Sequence, residues 1–473
     1  MISRTVPFSI TDEAATLHHR LVETPMRWRE LFGQGRARLT VGILLVEFLV
    51  AVQALVVTAI MPAIRHDLGG LEYYGLVFSG FAVAALVAAP TAGRLSDRRG
   101  PATPFLIFSG LFLIGTALCG LAPSMPILAL VRILQGYGAG GSYTVALVSV
   151  TRTYPEAGRA RVLALLAGAW IVPGLLGPSY GALIASTVGW RWAFISMVPL
   201  TIVATYLMLP ALRGVSKPED PSAHLSLRWP VQLAIGVGAL VTALSLLSVF
   251  SIPLLAAGLL LTWSALARIL PAGSLRGRRG MPTAVLTIFL LILAYIGADY
   301  FIPLLLTAVR GRSLAEAGIV ITAGTVSWSL GSWWQSRAIT TRSRLFLARL
   351  GTGMLIAGLL GVIATLAGAP LAVPYVAWFV GGVGMGIAYP TAYLVIMDGA
   401  SAVGAGAAVS SGEVGERLGL ALGGGLGGAA IALALAAHTS LSVGLAGALA
   451  LSLLAALAAL ILAPRLSPAP EPP

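Results

Sequence analysis

Long apolar runs alternate with short polar segments along most of the chain. Many of these runs approach or exceed the twenty or so residues that an α-helix needs to cross a bilayer. The pattern predicts fourteen membrane helices, at about residues 40–64, 73–92, 103–122, 126–150, 161–186, 191–212, 230–249, 252–270, 283–308, 315–337, 346–368, 371–397, 408–435 and 439–463. A polar loop at 213–228 and a basic loop at 268–279 flank the seventh and eighth helices. The predicted order is therefore six, two and six helices.

The basic residues in the polar segments predict how the helices are oriented. Lysine and arginine concentrate on the cytoplasmic loops of membrane proteins. With the N-terminus inside, the cytoplasmic segments hold 24 of the 30 basic residues and the outer loops hold four. We therefore expect a multi-pass protein of the cell (inner, cytoplasmic) membrane with both termini in the cytoplasm. Residues 1–39 are predicted to be a partly ordered cytoplasmic segment, and the proline-rich residues 464–473 a disordered tail.

The composition supports a membrane protein and disfavours several other classes. The chain is 58% hydrophobic and 10% charged, whereas soluble domains carry about 25% charged residues. The net charge of +13 resides mostly in the predicted cytoplasmic loops, so no nucleic-acid partner is expected. One cysteine and five scattered histidines offer no metal-ligand spacing, so neither a metal nor a cofactor is expected. No nucleotide-binding loop or nucleophile motif occurs in the sequence, which makes a membrane enzyme or sensor the least favoured class.

The fourth predicted helix carries a charge where hydrocarbon is expected. Its sequence LALVRILQGYGAG at residues 128–140 contains Arg132. A charge at this depth costs about 2.5–3.5 kcal/mol on insertion scales, so such residues usually face the interior of a helix bundle. The glycines at 136, 138 and 140 should let a second helix approach closely.

Several of these segments resemble motifs of one transporter family. The loop GRLSDRRG after the second helix resembles the cytoplasmic loop signature of the major facilitator superfamily, with matches at Gly93, Asp97, Arg98 and Gly100. In that family the loop latches the outward-facing state. The segment around Arg132, with Gln135 and Gly136, is similar to the signature of the fourth helix.

Two further matches narrow the resemblance to the fourteen-helix drug:proton antiporters. GLLGPSYGALI resembles the fifth-helix signature of antiporters, through Gly177, Pro178 and Gly181. GWRWAFISMVP at residues 189–199 resembles the opening of the sixth helix in that subfamily. The resemblance implies an all-α integral membrane protein with the major-facilitator fold. Its predicted parts are an N-terminal six-helix bundle (40–212), a linker with two extra transmembrane helices (213–280) and a C-terminal six-helix bundle (281–463).

Acidic residues within the predicted spans are the candidates for proton coupling. Glu47 lies one third of the way along the first helix, Asp299 two thirds along the ninth, and Glu413 early in the thirteenth. Burial favours the neutral form of a carboxyl group and a nearby arginine favours its ionised form, so a group between the two can exchange protons. We expect Glu47 to be the main proton site, Asp299 a proton or cation site, and Arg132 a tuning or relay residue.

Each of these acids also has a simpler interpretation. Glu47 could be a helix-end carboxylate paired with a loop arginine, and Asp299 could be wetted at the outer end of its helix. Glu413 and Arg417 are four residues apart, which is the spacing of an intrahelical ion pair. Arg132 could have a purely structural role.

The polar and aromatic residues inside the spans are candidates for a substrate cavity. Gln53 occupies the position of an aspartate in the antiporter subfamily, and aromatic faces attract cations. The candidates are Gln53, Trp170, Tyr180, Tyr295, Trp328 and Trp378. The alternative for the aromatic residues is ordinary packing or an interfacial belt.

The resemblance implies a secondary active transporter that exports small amphipathic or cationic drugs in exchange for protons, by alternating access. The alternative is an exporter of an endogenous metabolite, lipid or siderophore with the same fold. A single pair of bundles suffices for alternating access, so we expect a monomer.

Overall fold

A computed structural model describes residues 31–33, 36–215, 227–246, 250–399 and 405–467 of the chain. Every regular element in these residues is helical, which confirms the predicted all-α class. The first ten helices are α1 (Ala37–Leu68), α2 (Tyr74–Arg99), α3 (Ala102–Gly120), α4 (Met125–Thr153), α5 (Glu156–Gly168), α6 (Ile171–Thr187), α7 (Trp190–Ile195), α8 (Met197–Arg213), α9 (Arg228–Leu246) and α10 (Ser251–Ile269). The remaining long helices are α11 (Met281–Asp299), α12 (Leu314–Ala338), α13 (Arg344–Leu366), α14 (Ala372–Asp398), α15 (Ala405–Ala436) and α16 (Leu441–Leu462).

Eleven helices in the described residues are long and apolar enough to cross a membrane. Three further predicted spans are occupied by helices that are not among these eleven. These spans correspond to α4, to the pair α5–α6, and to α9. The multi-pass architecture is thus established, and the count of fourteen stays a prediction. Most of the predicted N-terminal segment and the last six residues lie outside the described residues.

Three predicted spans are interrupted rather than continuous. The span at 161–186 divides into α5 and α6, and the span at 191–212 divides into α7 and α8. Helix α11 ends at Asp299, ahead of a three-residue helical segment that contains Pro303. Proline lacks the N–H that would bond the carbonyl four residues earlier, here that of Asp299. The proline therefore explains why this acidic residue lies at a helix end.

Glycines allow α4 to pack tightly between α2 and α3. A Cβ atom on Gly136 would lie 2.7 Å from the Cα atom of Phe81, and one on Gly140 would lie 2.7 Å from that of Ala85. On the other side, a Cβ atom on Gly138 would lie 2.6 Å from the Cα atom of Phe112. These spacings are too short for a side chain, which confirms the predicted close approach and fixes the position of Arg132 on the same helix.

The N-terminal and C-terminal bundles meet near one end of the molecule, where α1 ends and α2 begins. The Ser79 hydroxyl on α2 donates to the Ala421 carbonyl on α15 at 2.7 Å. Phe78 stacks on Tyr300, with ring centroids 4.0 Å apart. Gly75 lies so close to α15 that its Cβ atom would be 2.7 Å from the Cα atom of Gly428. This is the end that the charge pattern predicts to be extracytoplasmic.

The two linker helices, α9 and α10, are separate from the two six-helix bundles and pack on their outer side. Helix α9 packs against both α2 and α15, and α10 packs along α9. Helix α10 is the least buried of the eleven membrane-length helices. Its outward face carries Ile252, Leu260 and Trp263, all largely exposed, as expected of a surface that faces lipid.

Candidate transport cavity

A cavity of about 240 Å³ lies where α4 of the first bundle faces α14 and α15 of the second. It is lined by tyrosines and charged residues: Tyr143, Tyr389, Tyr393, Glu413, Glu416 and Arg417. These residues lie in the halves of their helices away from the end where the bundles meet. The cavity therefore lies on the predicted cytoplasmic side.

The charged residues of the cavity are mostly unpaired. The Tyr389 hydroxyl donates to Glu416 Oε2 at 2.6 Å. Within the described residues, Arg417 forms no ion pair with Glu413 or any other acid within 4.0 Å. The structure therefore does not support the intrahelical ion pair suggested by their spacing. The carboxyl groups and the guanidinium remain available to a ligand.

Glu47 on α1 lies beside this cavity. Its side chain is 6% exposed, and it accepts a hydrogen bond on Oε1 from the indole N–H of Trp170. Its other oxygen has no partner among the described residues. Glu47 interacts electrostatically with Glu416 and Arg417 across the bundle boundary. The alternative of a helix-end carboxylate bound to a loop arginine does not fit, since no such pair forms in the described chain.

Asp299 on α11 is enclosed in the second bundle. It is 5% exposed, which rules out the solvent-wetted alternative in this conformation. Its Oδ1 accepts from the indole N–H of Trp378 at 2.9 Å. Tyr295 stacks on Trp378, with ring centroids 4.6 Å apart, and the edge of Trp328 meets Tyr295 at 5.1 Å. Trp378 thus contacts Asp299, Tyr295 stacks on Trp378, Trp328 packs between Tyr295 and the cavity residue Tyr389, and none of the three lines the open cavity.

Arg132 is 3% exposed and has neutral partners. Its Nε donates to the Val77 carbonyl at 3.2 Å, and one terminal nitrogen donates to Gln135 Oε1 at 2.6 Å. Gln135 in turn donates to Thr116 at 2.9 Å, and the guanidinium lies 4.1 Å from the ring centroid of Phe81. No acid lies within 4.0 Å of Arg132 in the described chain. Arg132 thus ties α4 to α2 and α3 without direct contact with Glu47 or Asp299.

The remaining predicted cavity residues, Gln53 and Tyr180, are not among those that line this cavity. Both side-chain amide atoms of Gln53 are buried without a partner among the described residues. Tyr180 donates to Ser196, at the α7–α8 junction, at 2.7 Å. Sequence reasoning missed the three cavity tyrosines. The available signal was the spacing of Tyr389 and Tyr393, which places both on one face of α14.

The loop motif of the first bundle forms an ion pair within that bundle. Asp97 accepts from Arg152 at the end of α4 at 2.6 Å, and Arg152 also donates to the Ser96 carbonyl at 3.3 Å. Gly100 takes a φ of 76°, in the left-handed region that favours glycine, and so permits the turn. Gly93 has open space around its Cα atom, and Arg98 is exposed.

The second bundle has a corresponding ion pair with the charges reversed. The matching loop, at residues 331–344, contains no aspartate. Arg344, at the start of α13, instead pairs with Asp398 at the end of α14. In the first bundle the loop motif supplies the acidic partner, Asp97, whereas in the second bundle the matching loop supplies the basic partner, Arg344.

The glycine–proline motif of α6 lies where the bundles meet. A Cβ atom on Gly181 would lie 3.1 Å from Ile60 and Val56 of α1. On α12, a Cβ atom on Gly318 would lie 3.1 Å from the Pro178 carbonyl. The motif therefore places α6 against both its own bundle and the opposite one.

A many-helix membrane protein with a charged cavity between two bundles has the architecture of a secondary transporter. A sequence profile of the Major Facilitator Superfamily matches residues 43–423. The chain belongs to this superfamily and is a multi-pass membrane protein.

Curated relatives and solved structures agree with this assignment. The multidrug transporter protein MdtP of Bacillus subtilis is 24% identical over 311 residues, which cover 63% of this chain and 57% of the relative. A probable multidrug-efflux transporter of Mycobacterium tuberculosis is 28% identical over 391 residues, 78% of this chain and 82% of the relative. An auto-inhibited peptide transporter of the POT family has a similar fold, with a TM-score of 0.63, 17% identity and coverage of 92% and 98%.

Proposed function

We propose that this protein exports small cationic or amphipathic compounds across the cell membrane in exchange for protons. The observation that carries the proposal is the cavity at the bundle boundary, where Glu47 of the first bundle lies within electrostatic range of Glu416 and Arg417 of the second. Rocking of the two bundles around such a boundary site would expose it to each side of the membrane in turn.

The charge balance of the cavity favours a cation. Glu413 and Glu416 line the cavity and Glu47 lies beside it, so three carboxyl groups stand against the single guanidinium of Arg417. The cavity tyrosines add aromatic faces, which attract cations by about 0.5–2 kcal/mol each. A cation and a proton would compete for the same carboxyl group, and that competition couples the two fluxes. The multidrug relatives fit a cargo of this type.

The alternative cargo is an endogenous metabolite, lipid or siderophore. A fatty acid or another anionic lipid would face an excess of carboxyl groups in the cavity, which opposes its binding. A cationic metabolite would be compatible with the same site. The cavity therefore selects a substrate by its positive charge, whether that substrate is a drug or an endogenous compound.

The proposal includes a topology with both termini in the cytoplasm and a monomeric transporter. The cavity is formed by the two bundles of one chain, so a monomer is sufficient for transport.

The membrane potential would also help to drive the exchange. It would contribute about 2.3 kcal/mol per charge per 100 mV to any exchange that moves net charge across the membrane.

The test is proton movement in proteoliposomes. Purified protein is reconstituted, a pH gradient is imposed, and an internal pH dye is followed when a cationic dye such as ethidium is added. We expect substrate-triggered proton flux that is absent from protein-free liposomes. Accumulation of the cationic dye that persists after the pH gradient is collapsed by an ionophore would contradict proton coupling.

A further inference from the structure

A second cavity, of about 370 Å³, lies at the end of linker helix α10. One wall is apolar and is formed by Trp263, Leu266 and Leu270. The polar residues of its lining, which we call the rim, include Ser274, Arg276 and Arg278. The cavity therefore joins an apolar surface to a cationic rim, at the predicted cytoplasmic boundary of the membrane.

A tight turn holds the polar rim together. The short helix Ser274–Arg276 is flanked by Gly273 and Gly277, with φ angles of 92° and 57°. The backbone N–H of Arg278 donates back to the Gly273 carbonyl at 3.1 Å. A side chain at Gly273 would collide with Arg278, since a Cβ atom there would lie 2.8 Å from Cγ of the arginine. The fold of the loop thus brings the two arginines to the same rim.

Ser274 gives independent evidence for a ligand. Its side chain is 2% exposed and lines the cavity. Its hydroxyl has no hydrogen-bond partner among the described residues. A buried hydroxyl without a partner costs about 1–3 kcal/mol. An acceptor oxygen from a ligand in the cavity would remove that cost.

The positive charge around the rim is not balanced by an ion pair in the part of the chain that the structure describes. Residues 221–298 contain five arginines and no aspartate or glutamate. Arg268, Arg276, Arg278 and Arg279 are exposed, and the ion pairs of the described chain lie elsewhere. The rim is thus complementary to an anion, and none of its arginines forms an ion pair with an acidic group of the described residues.

We infer that this cavity binds an anionic phospholipid of the cytoplasmic leaflet. The phosphate lies at Arg276 and Arg278 and accepts from the Ser274 hydroxyl. An acyl chain runs along Trp263 and Leu266, continuous with the exposed apolar face of α10. Basic sites between membrane helices on the cytoplasmic side recognise anionic headgroups in this way. The apolar wall is what distinguishes a lipid from free phosphate as the ligand.

The test compares lipid binding to purified full-length protein. Phosphatidylglycerol, phosphatidylcholine and inorganic phosphate are titrated separately, and retained lipid is measured by native mass spectrometry beside the midpoint of thermal unfolding. The test variant is the double substitution Arg276→Gln/Arg278→Gln. The matched control is Arg337→Gln/Arg342→Gln, which removes two exposed arginines, one from the last turn of α12 and one from the loop after it, on the same predicted face.

We expect phosphatidylglycerol to bind and to raise the unfolding midpoint, with the test variant binding it at least about tenfold more weakly. The control should bind as wild type does. Equal binding by both variants, equal protection by phosphatidylcholine, or full protection by inorganic phosphate would each overturn the inference.

Substitution Ser274→Ala separates a role in lipid binding from a role in folding. It removes an unpartnered buried hydroxyl, so the lipid-free protein should unfold at the same or a higher temperature. Phosphatidylglycerol binding should nevertheless weaken several-fold. Unchanged binding in Ser274→Ala would show that this hydroxyl does not contact the headgroup and would contradict the proposed site.

Discussion

Among the described residues, each bundle buries one carboxyl group that accepts a hydrogen bond from a tryptophan N–H. Glu47 accepts from Trp170, which is 36% exposed. Asp299 accepts from Trp378, which is fully buried. The first acid lies beside charged residues of the opposite bundle, whereas the second is packed among aromatic rings of its own bundle.

Glu47 and Asp299 are both candidate proton sites in the sequence, and their surroundings in the structure distinguish them. Glu47 lies beside a cavity in the present conformation, so we propose that it exchanges protons with the side on which the cavity lies. Asp299 is at the far end of α11, near the closed end of the molecule. We propose that any exchange at Asp299 requires the bundles to open at that end. The predictions below test this distinction, from the largest expected effect to the smallest.

Substitution Glu47→Gln should have the largest effect. Glutamine keeps an oxygen that can accept from Trp170, so the local geometry should persist. Uptake driven by a pH gradient should fall by at least about tenfold, because this variant loses the proton site. Exchange of labelled for unlabelled substrate at equilibrium should persist, since it needs no net proton movement. Loss of both activities in folded protein would assign Glu47 to substrate binding instead.

Closure between the bundles should depend on the small residues of α2. Substitution Gly75→Val would push α2 away from Gly428, because even a Cβ atom at Gly75 would lie 2.7 Å from the Cα atom of Gly428. Labelling of Ser79→Cys by a membrane-impermeant maleimide should then accelerate about tenfold, consistent with overpacking of about 1–3 kcal/mol. The native Cys119 is buried and should not interfere.

The matched control for this prediction is on the neighbouring helix α3 of the same bundle. A Cβ atom on Gly110 would meet nothing within 4 Å, so Gly110→Val should leave the labelling rate unchanged. Equal acceleration by the two substitutions would show that the labelling reports general loosening of the first bundle and not separation of the bundles.

The two tryptophans should differ in their effect on stability. Substitution Trp378→Phe removes the donor to the enclosed Asp299 and leaves space in a packed core, at a cost of about 1–3 kcal/mol. Substitution Trp170→Phe should cost less, because water can reach a residue that is 36% exposed. Thermal unfolding of both variants in the same detergent measures the difference. A larger loss in Trp170→Phe would contradict the assignment of Asp299 to the enclosed site.

The smallest effects on stability are expected at the two ion pairs, Asp97–Arg152 in the first bundle and Arg344–Asp398 in the second. The side chains of Asp97 and Arg152 are 32% and 16% exposed, against 55% and 39% for Asp398 and Arg344. Exposed pairs contribute about 0–1 kcal/mol, and less as exposure increases. Double-mutant cycles on thermal unfolding should give the larger coupling for Asp97 and Arg152. A larger coupling in the second bundle would reverse this ranking.

Hydropathy and motifs predicted the helical framework because both signals are local. The predicted spans overlap the observed helices, and the glycines of α4 pack as expected. The helix breaks were missed, although Pro303 explains the end of α11.

The partners of the charged residues were not predictable because they are distant in sequence. Trp170 lies 123 residues from Glu47, and Trp378 lies 79 residues from Asp299. Arg344 and Asp398 are 54 residues apart. The sequence indicated that Arg132 is buried, but its neutral partners depend on how three helices pack.

The central claim is that Glu47 is the carboxyl group for which a proton and a cationic substrate compete. The most direct test is the affinity of purified protein for a fluorescent cation, measured as a function of pH in wild type, Glu47→Gln and Asp299→Asn. An ionised carboxyl group attracts a cation, so affinity should rise with pH in wild type and in Asp299→Asn. It should vary much less with pH in Glu47→Gln, where Glu413 and Glu416 are the carboxyl groups that remain at the cavity. A pH dependence that survives in Glu47→Gln and disappears in Asp299→Asn would contradict the account.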